Sequence, residues 1–192
     1  MAEFAALICI GIGIVIVIGL VLFYIVSLFN GLISTRNNID KAWANIDVML
    51  KQRADLIPNL VSTVKGYKKY EKEVLEGVTR LRTQVLQAES PNKQAALNDA
   101  LTSSLKSIFA VAENYPKLQA NENFLKLQEQ LTALENQIAD RREFYNESVL
   151  IYNTRIKSIP DMIIAGMLSM KDKEYFKATE EEKRLVQVKI DN

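Results

Sequence analysis

The chain has no histidine, and its only cysteine, Cys9, lies in an apolar stretch near the N-terminus. These two absences exclude zinc sites built on imidazole or thiolate, Ser-His and Cys-His nucleophile pairs, and disulfide cross-links. A di-iron carboxylate bundle needs Glu-x-x-His twice and cannot be written from this chain. No glycine-rich phosphate loop follows a strand-like segment. A surplus of one charge is missing too: 24 Lys and Arg stand against 23 Asp and Glu, a net +1. Sequence-independent nucleic-acid binding therefore has little electrostatic drive, and no polybasic lipid-binding run is present. The composition predicts a protein that is not an enzyme, holds no cofactor or metal, and binds no nucleic acid.

What the sequence does have is one long apolar run. Residues 4–29, FAALICIGIGIVIVIGLVLFYIVSLF, carry no charge. At about 1.5 Å per residue they cross a hydrocarbon core of about 30 Å with some tilt. A cleaved signal peptide wants a basic start, a shorter apolar core and a small-x-small cleavage site. Here only Glu3 precedes the run, and Phe29-Asn30-Gly31 is a poor cleavage site. Bulky Ile8 before Cys9 argues against lipoprotein-type acylation. The run reads as an uncleaved single-pass span. Arg36 and Lys41 flank its C-terminal side and no Lys or Arg flanks the other. That asymmetry places the N-terminus outside and the bulk of the chain in the cytoplasm.

Beyond Gly31 the apolar residues take helical spacing, so the fold class is all-α. Ile39, Trp43, Ile46, Leu50, Ile57, Leu60, Val64 and Tyr67 step by three and four, with Arg53 filling the one gap in the seam. The pattern continues through Val74, Val78, Leu81 and Val85. Pro58 and Gly66 both interrupt it, and either is a place for a kink or a reversal. Ser90-Pro91 reads as an N-cap followed by proline at the first helical position. The helix it opens carries Leu97, Leu101, Leu105, Ile108, Ala112 and Tyr115 on one face, and Tyr115-Pro116 stops it. Asn121 caps a last long helix whose seam runs Phe124, Leu127, Leu131, Leu134, Ile138, Arg141, Tyr145, Val149, Tyr152 and Ile156.

One unbroken helix over residues 32–88 would be about 85 Å long, against about 54 Å for residues 121–156. That mismatch favours a reversal and an antiparallel, up-and-down four-helix bundle. A three-helix bundle with a kinked first helix is the alternative, and a second chain would then cover the surplus seam. The expected layout is a span at 4–29, a bundle at 30–158 and an apolar-then-charged tail at 159–192, with residues 185–192 extended or disordered.

Three groups of residues stand out. Arg53 and Arg141 occupy seam positions where leucine is expected. Either they snorkel to the rim and the true seam drifts by one residue, or they form ionic layers with Asp47, Glu113 or Glu135. Tyr145, Asn146, Tyr152 and Asn153 make a Y-N-x5-Y-N repeat on one helix face. It is either core tyrosine with asparagine bonded across helices, or a surface that docks a peptide or partner. Residues 162–170, MIIAGMLSM, offer Met162, Met167 and Met170 either to the bundle end or to a bilayer or partner.

Several of these stretches carry a family resemblance. RADLIPNLVSTVKGYKKYEKEVLEGVTRLR, ENYPKLQANENFLKLQEQL, ENQIADRREFYNESVLIYNTRI and IPDMIIAGM, in that order, resemble the LemA family from the end of the span to about Phe176. The most specific pieces are D-L-I-P-N-L-V at 55–61 and E-N-Y-P at 113–116. Tyr70 departs from the family, where many members have histidine, and Asp140 stands where a small residue is usual. The resemblance implies a bacterial single-pass membrane protein with an antiparallel four-helix bundle and no established enzymatic activity. It also implies an association with membrane zinc metalloproteases of the heat-shock type, and for some members with specialised internal membranes.

The sequence thus leads to a non-enzymatic scaffold or adaptor in the bacterial inner membrane. It would self-associate, as a homo-oligomer, or dock on a membrane partner such as a quality-control metalloprotease through the seam and the 162–170 tail. The alternative is a membrane-shaping protein that forms a homo-oligomeric lattice or cage. An enzyme using only carboxylates, Lys, Tyr or Ser is a third option, and a signalling receptor a fourth.

Overall fold

A computed structural model describes residues 2–66, 72–88 and 90–176. Those residues form six helices and no strand: α1 (Ala2–Lys65), α2 (Lys72–Leu86), α3 (Pro91–Ala112), α4 (Pro116–Gln119), α5 (Glu122–Arg155) and α6 (Asp161–Met167). The all-α expectation holds. Tyr67, Tyr70 and residues 185–192, which the sequence reading singled out, lie outside the described residues. Contacts divide the described residues into one compact unit of residues 41–146 with 175–176, and another of residues 2–40 with 147–174.

In the unit of residues 41–146, α1 continues through Pro58 and stops at Lys65. Of the two interruptions in the sequence, the helix therefore ends at the second, beside Gly66. α2 then runs back along α1. Its Arg82 Nε donates to the Ala54 carbonyl at 2.8 Å, and the guanidinium lies 4.0 Å from Asp55. α3 runs parallel to α1, since Gln94 meets Asp47 and Asn98 meets Arg53. α5 runs the opposite way, pairing Tyr145 with Trp43 and Glu135 with Arg53. Successive long segments thus alternate in direction. α1 itself ends at Lys65, short of residue 88.

The seam drawn from spacing is largely the core. Ile46, Ile57, Leu60 and Val64 are fully enclosed, joined by Ala42, Ala54 and Val61 on a second row of the same face. Each large aliphatic side chain buried this way contributes about 1.5–3 kcal/mol of transfer free energy. On α3 the buried positions are Gln94, Ala95, Asn98, Leu101, Leu105, Ile108 and Ala112, so two polar residues occupy the first turns of the seam and Leu97 is only half-buried.

Local signals placed the helix starts correctly. Ser90 caps α3, its hydroxyl accepting from the Lys93 N–H at 3.4 Å, with Pro91 at the first helical position. Pro116 likewise opens α4. Asn121 Oδ1 accepts from the backbone N–H groups of Asn123 and Phe124 at 3.0 and 3.1 Å, satisfying two donors that the first turn of α5 leaves free. Asn121→Ala is expected to cost about 1 kcal/mol in chemical unfolding with no change in helix content. A cost indistinguishable from zero would mean that solvent satisfies those donors equally well.

In the unit of residues 2–40 and 147–174, α1 includes an 18-residue window of mean hydropathy 3.0, none of it buried. Among the described residues it is the one helix long and apolar enough to cross a membrane. Leu32 and Ile39 of α1 are buried, as are Val149, Tyr152 and Ile156 of α5 and Ala165 of α6. α6 is followed by Ser169, whose φ of 51° is left-handed, and the Met170 N–H closes the turn on the Ala165 carbonyl at 3.0 Å. Residues 170–176 then continue without regular structure.

Candidate functional site

Three side-chain constellations are built by these helices. The first is a buried ionic cluster. Arg53 is 2 % exposed, and its Nη1 donates to Asn98 Oδ1 at 2.8 Å and Thr102 Oγ1 at 2.9 Å. The same nitrogen lies 2.5 Å from Glu135 Oε2, whose side chain keeps about a third of its surface exposed. Thr102 in turn donates toward the Glu135 carboxylate at 3.1 and 3.2 Å. Burial pushes the guanidinium below its ordinary pKa, Glu135 opposes that, Arg142 adds to it and Asp99 works against it. The group stays charged because an arginine starts far above neutral pH. Arg53 Nε and Asn98 Nδ2 are buried with no protein acceptor, so the cluster carries a desolvation cost of its own.

Beside it, Arg142 Nη2 meets Asp99 Oδ1 at 2.6 Å. Arg141, which spacing placed on the seam, is exposed. The register shifts by one residue, from Ile138 to Arg142 to Tyr145. Of the three candidate counter-charges only Glu135 meets Arg53. Asp47 is exposed and accepts from Gln94 Nε2 at 2.9 Å, and Glu113 is exposed at the end of α3.

The second constellation seats the tail. Phe176 is 7 % exposed, with its ring 6.0 Å from Trp43 and 6.4 Å from Tyr145, while Trp43 and Tyr145 meet edge to face at 5.7 Å. The Arg142 guanidinium carbon sits 4.5 Å from the centre of the Phe176 ring. Asn146 reads the backbone of Phe176 with both ends of its amide. Its Oδ1 accepts from the N–H at 2.7 Å and its Nδ2 donates to the carbonyl at 3.1 Å. Asn153 does the same to Lys173, at 2.9 Å for each bond. Each asparagine supplies one donor and one acceptor to a backbone with no sheet partner.

A third constellation surrounds Arg155. Its Nε donates to Asp161 Oδ2 at 2.7 Å and its Nη1 to Thr35 Oγ1 at 2.9 Å, while Thr35 donates to the Gly31 carbonyl at 2.8 Å. A Cβ at Gly31 would lie 2.8 Å from Arg155 Nη2, so the absence of a side chain lets the guanidinium lie against α1. Tyr152, 2 % exposed, has its phenol pKa raised by burial, with Arg36 opposing and Asp172 and Asp40 adding. Met162 and Met167 are exposed and Met170 is half-buried.

Reasoning from sequence missed Asn98, Thr102, Asp99, Arg142, Arg155, Asp161 and Phe176. Only Arg142 left a signal, as the second arginine of a pair straddling the seam. Among the described residues no group of three or more acidic or thiol side chains is placed to hold a metal ion.

An apolar helix exposed over its first turns, followed by helices whose buried charges close on one another, defines a membrane-associated helical protein. A model of the LemA family matches residues 42–190, and the chain belongs to that family. It is 25% identical over 173 residues to Protein LemA of Metamycoplasma hominis, covering 88% of this chain and 78% of that one. It is 24% identical over 174 residues to Magnetosome protein MamQ 2 of Paramagnetospirillum magneticum, covering 77% of this chain and 64% of that protein. Magnetosome protein MamQ of Magnetospirillum gryphiswaldense is 23% identical with the same coverage. The chain thus spans just under two thirds of the magnetosome proteins' length. None of these names states an enzymatic activity.

Proposed function

We propose that this chain is a non-enzymatic, membrane-anchored helical scaffold that docks on a membrane partner. The single observation that supports this most is the use made of its buried polar groups. Arg53, Glu135, Asn98 and Thr102 are bonded together across three helices, and Arg142 and Asp99 across two, which is how a fold fixes helix register rather than how it prepares a reacting group. The domain sits on the cytoplasmic side of a bacterial inner membrane, with Arg36 and Lys41 as the retained positive flank. The partner is a second copy or another membrane protein, and the family resemblance suggests a quality-control zinc metalloprotease. Val48 and Leu125, each about half exposed in the unit of residues 41–146, are apolar side chains available to it.

The names of the magnetosome relatives favour a second reading, a homo-oligomeric lattice that shapes an internal membrane. Extraction of the tagged full chain from native membrane in a lipid-retaining polymer, followed by mass determination, separates the two. A second protein at fixed ratio is expected for the scaffold. A large assembly of this chain alone would support the lattice, and a lone monomer would overturn both.

A further inference from the structure

α6 lies at the turning point of its unit. α5 descends toward the span, because Tyr152 senses Arg36 and Asp40 whereas Arg155, further along, meets Thr35 and packs against Gly31. After α6 the chain climbs again, since Lys173 is held by Asn153. Between these points the Asp161 carboxylate, the first residue of α6, is tied to Arg155. α6 therefore starts at the level of Gly31 and Thr35. These residues follow Phe29, the last of the apolar run, by two and six positions, or about 3–9 Å along a helix axis.

At that level α6 turns one face inward and leaves the other bare. Asp161 and Ala165 are buried, whereas Ile159 is 78%, Ile163 62% and Met167 82% exposed, with Met162 46%. Positions 162, 163, 166 and 167 follow helical spacing and include no charged or hydrogen-bonding side chain. The exposed apolar surface of α1 ends just short of that level, at Val26 and Phe29, so the bare stripe lies next to a surface already suited to lipid. We propose that α6 is an interfacial anchor, its stripe of Met162, Ile163 and Met167, with Ile159 in the turn before it, immersed in the headgroup–acyl boundary of the bilayer that the span crosses. Interfacial helices sink their apolar face about 5–10 Å into that boundary, so a helix that starts about 3–9 Å beyond Phe29 lies within reach of it. Arg155 then acts as a positioning residue that holds α6 at fixed depth relative to α1. The inference rests on residues 4–29 spanning the membrane.

The test uses the full chain with Cys9→Ser, carrying one environment-sensitive fluorophore at a new cysteine. The protein is reconstituted in vesicles of phosphatidylethanolamine and phosphatidylglycerol containing lipids with a spin label near the headgroup end of the chain. Probes at Ile163→Cys and Met167→Cys are expected to be quenched at least about twofold, while Glu147→Cys is not. Val21→Cys, inside the apolar run, reports on the span itself. If Val21→Cys is quenched and the two α6 probes match Glu147→Cys, the anchor is overturned while the span stands. If Val21→Cys is not quenched either, the span reading fails and the inference with it. Excimer emission from pyrene at Met167→Cys without lipid quenching would also overturn the anchor, and would assign the stripe to a second copy.

Discussion

Glu135→Ala is expected to lower the unfolding free energy by about 3–5 kcal/mol, because it strands the buried Arg53 charge without a counter-ion. The only tryptophan, Trp43, reports on the right unit, so denaturant unfolding in detergent followed by its emission measures the change. The reverse truncation is milder. Arg53→Ala leaves behind a carboxylate with about a third of its surface already in water, so rehydration limits the loss to about 1–3 kcal/mol. Removing both charges, as Arg53→Met with Glu135→Gln, should return the protein to within about 1 kcal/mol of its starting stability or above it, since neither partner is then left desolvated. A Glu135→Ala loss no larger than that of Arg53→Ala would show that Arg53 is hydrated in solution.

The second large effect falls on the tail. Phe176→Ala removes a ring that Trp43, Tyr145 and Arg142 enclose, at a cost of about 3 kcal/mol by the scale of core phenylalanine truncations. The segment can detach rather than leave a cavity, so the loss appears as local opening. Tryptic cleavage after Lys171 and Lys173 should rise at least about tenfold, while cleavage elsewhere is unchanged. Asn146→Leu, which abolishes both bonds to the Phe176 backbone, should act the same way with smaller amplitude. Unchanged cleavage in both variants would mean that Asn153 alone retains the tail.

The helical core was readable because three-and-four spacing is dictated by the helix itself, and Ile46, Leu50, Ile57, Leu60 and Val64 fall where it requires. Caps were readable for a similar reason, since Ser90 and Asn121 answer to backbone donors only a few residues away. The choice between Arg141 and Arg142 was not. Both steps, three then four or four then three, are allowed between Ile138 and Tyr145, and the decision comes from Asp99 on another helix. The Tyr-Asn repeat announced one helix face, and its asparagines were expected to bond across helices or to form a docking surface. That they hold backbone 20 and 30 residues downstream could not be read, because main-chain recognition leaves no residue pattern in the segment recognised. Leu97 gave way to Asn98 in the α3 seam because the guanidinium of Arg53 needs an acceptor there.

Arg142 is shared. Its Nη2 holds Asp99 of α3 at 2.6 Å, and the same guanidinium lies against the ring of Phe176. Lifting the tail would bare one face of that guanidinium to water and weaken its hold on Asp99, since an ion pair loses strength as its surroundings become more polar. The coupling is reciprocal: whatever tightens the α3–α5 pair also favours the seated tail, by the same free energy. A ligand that competed for the place of Phe176 would therefore loosen the hold of α5 on α3, a helix it never touches.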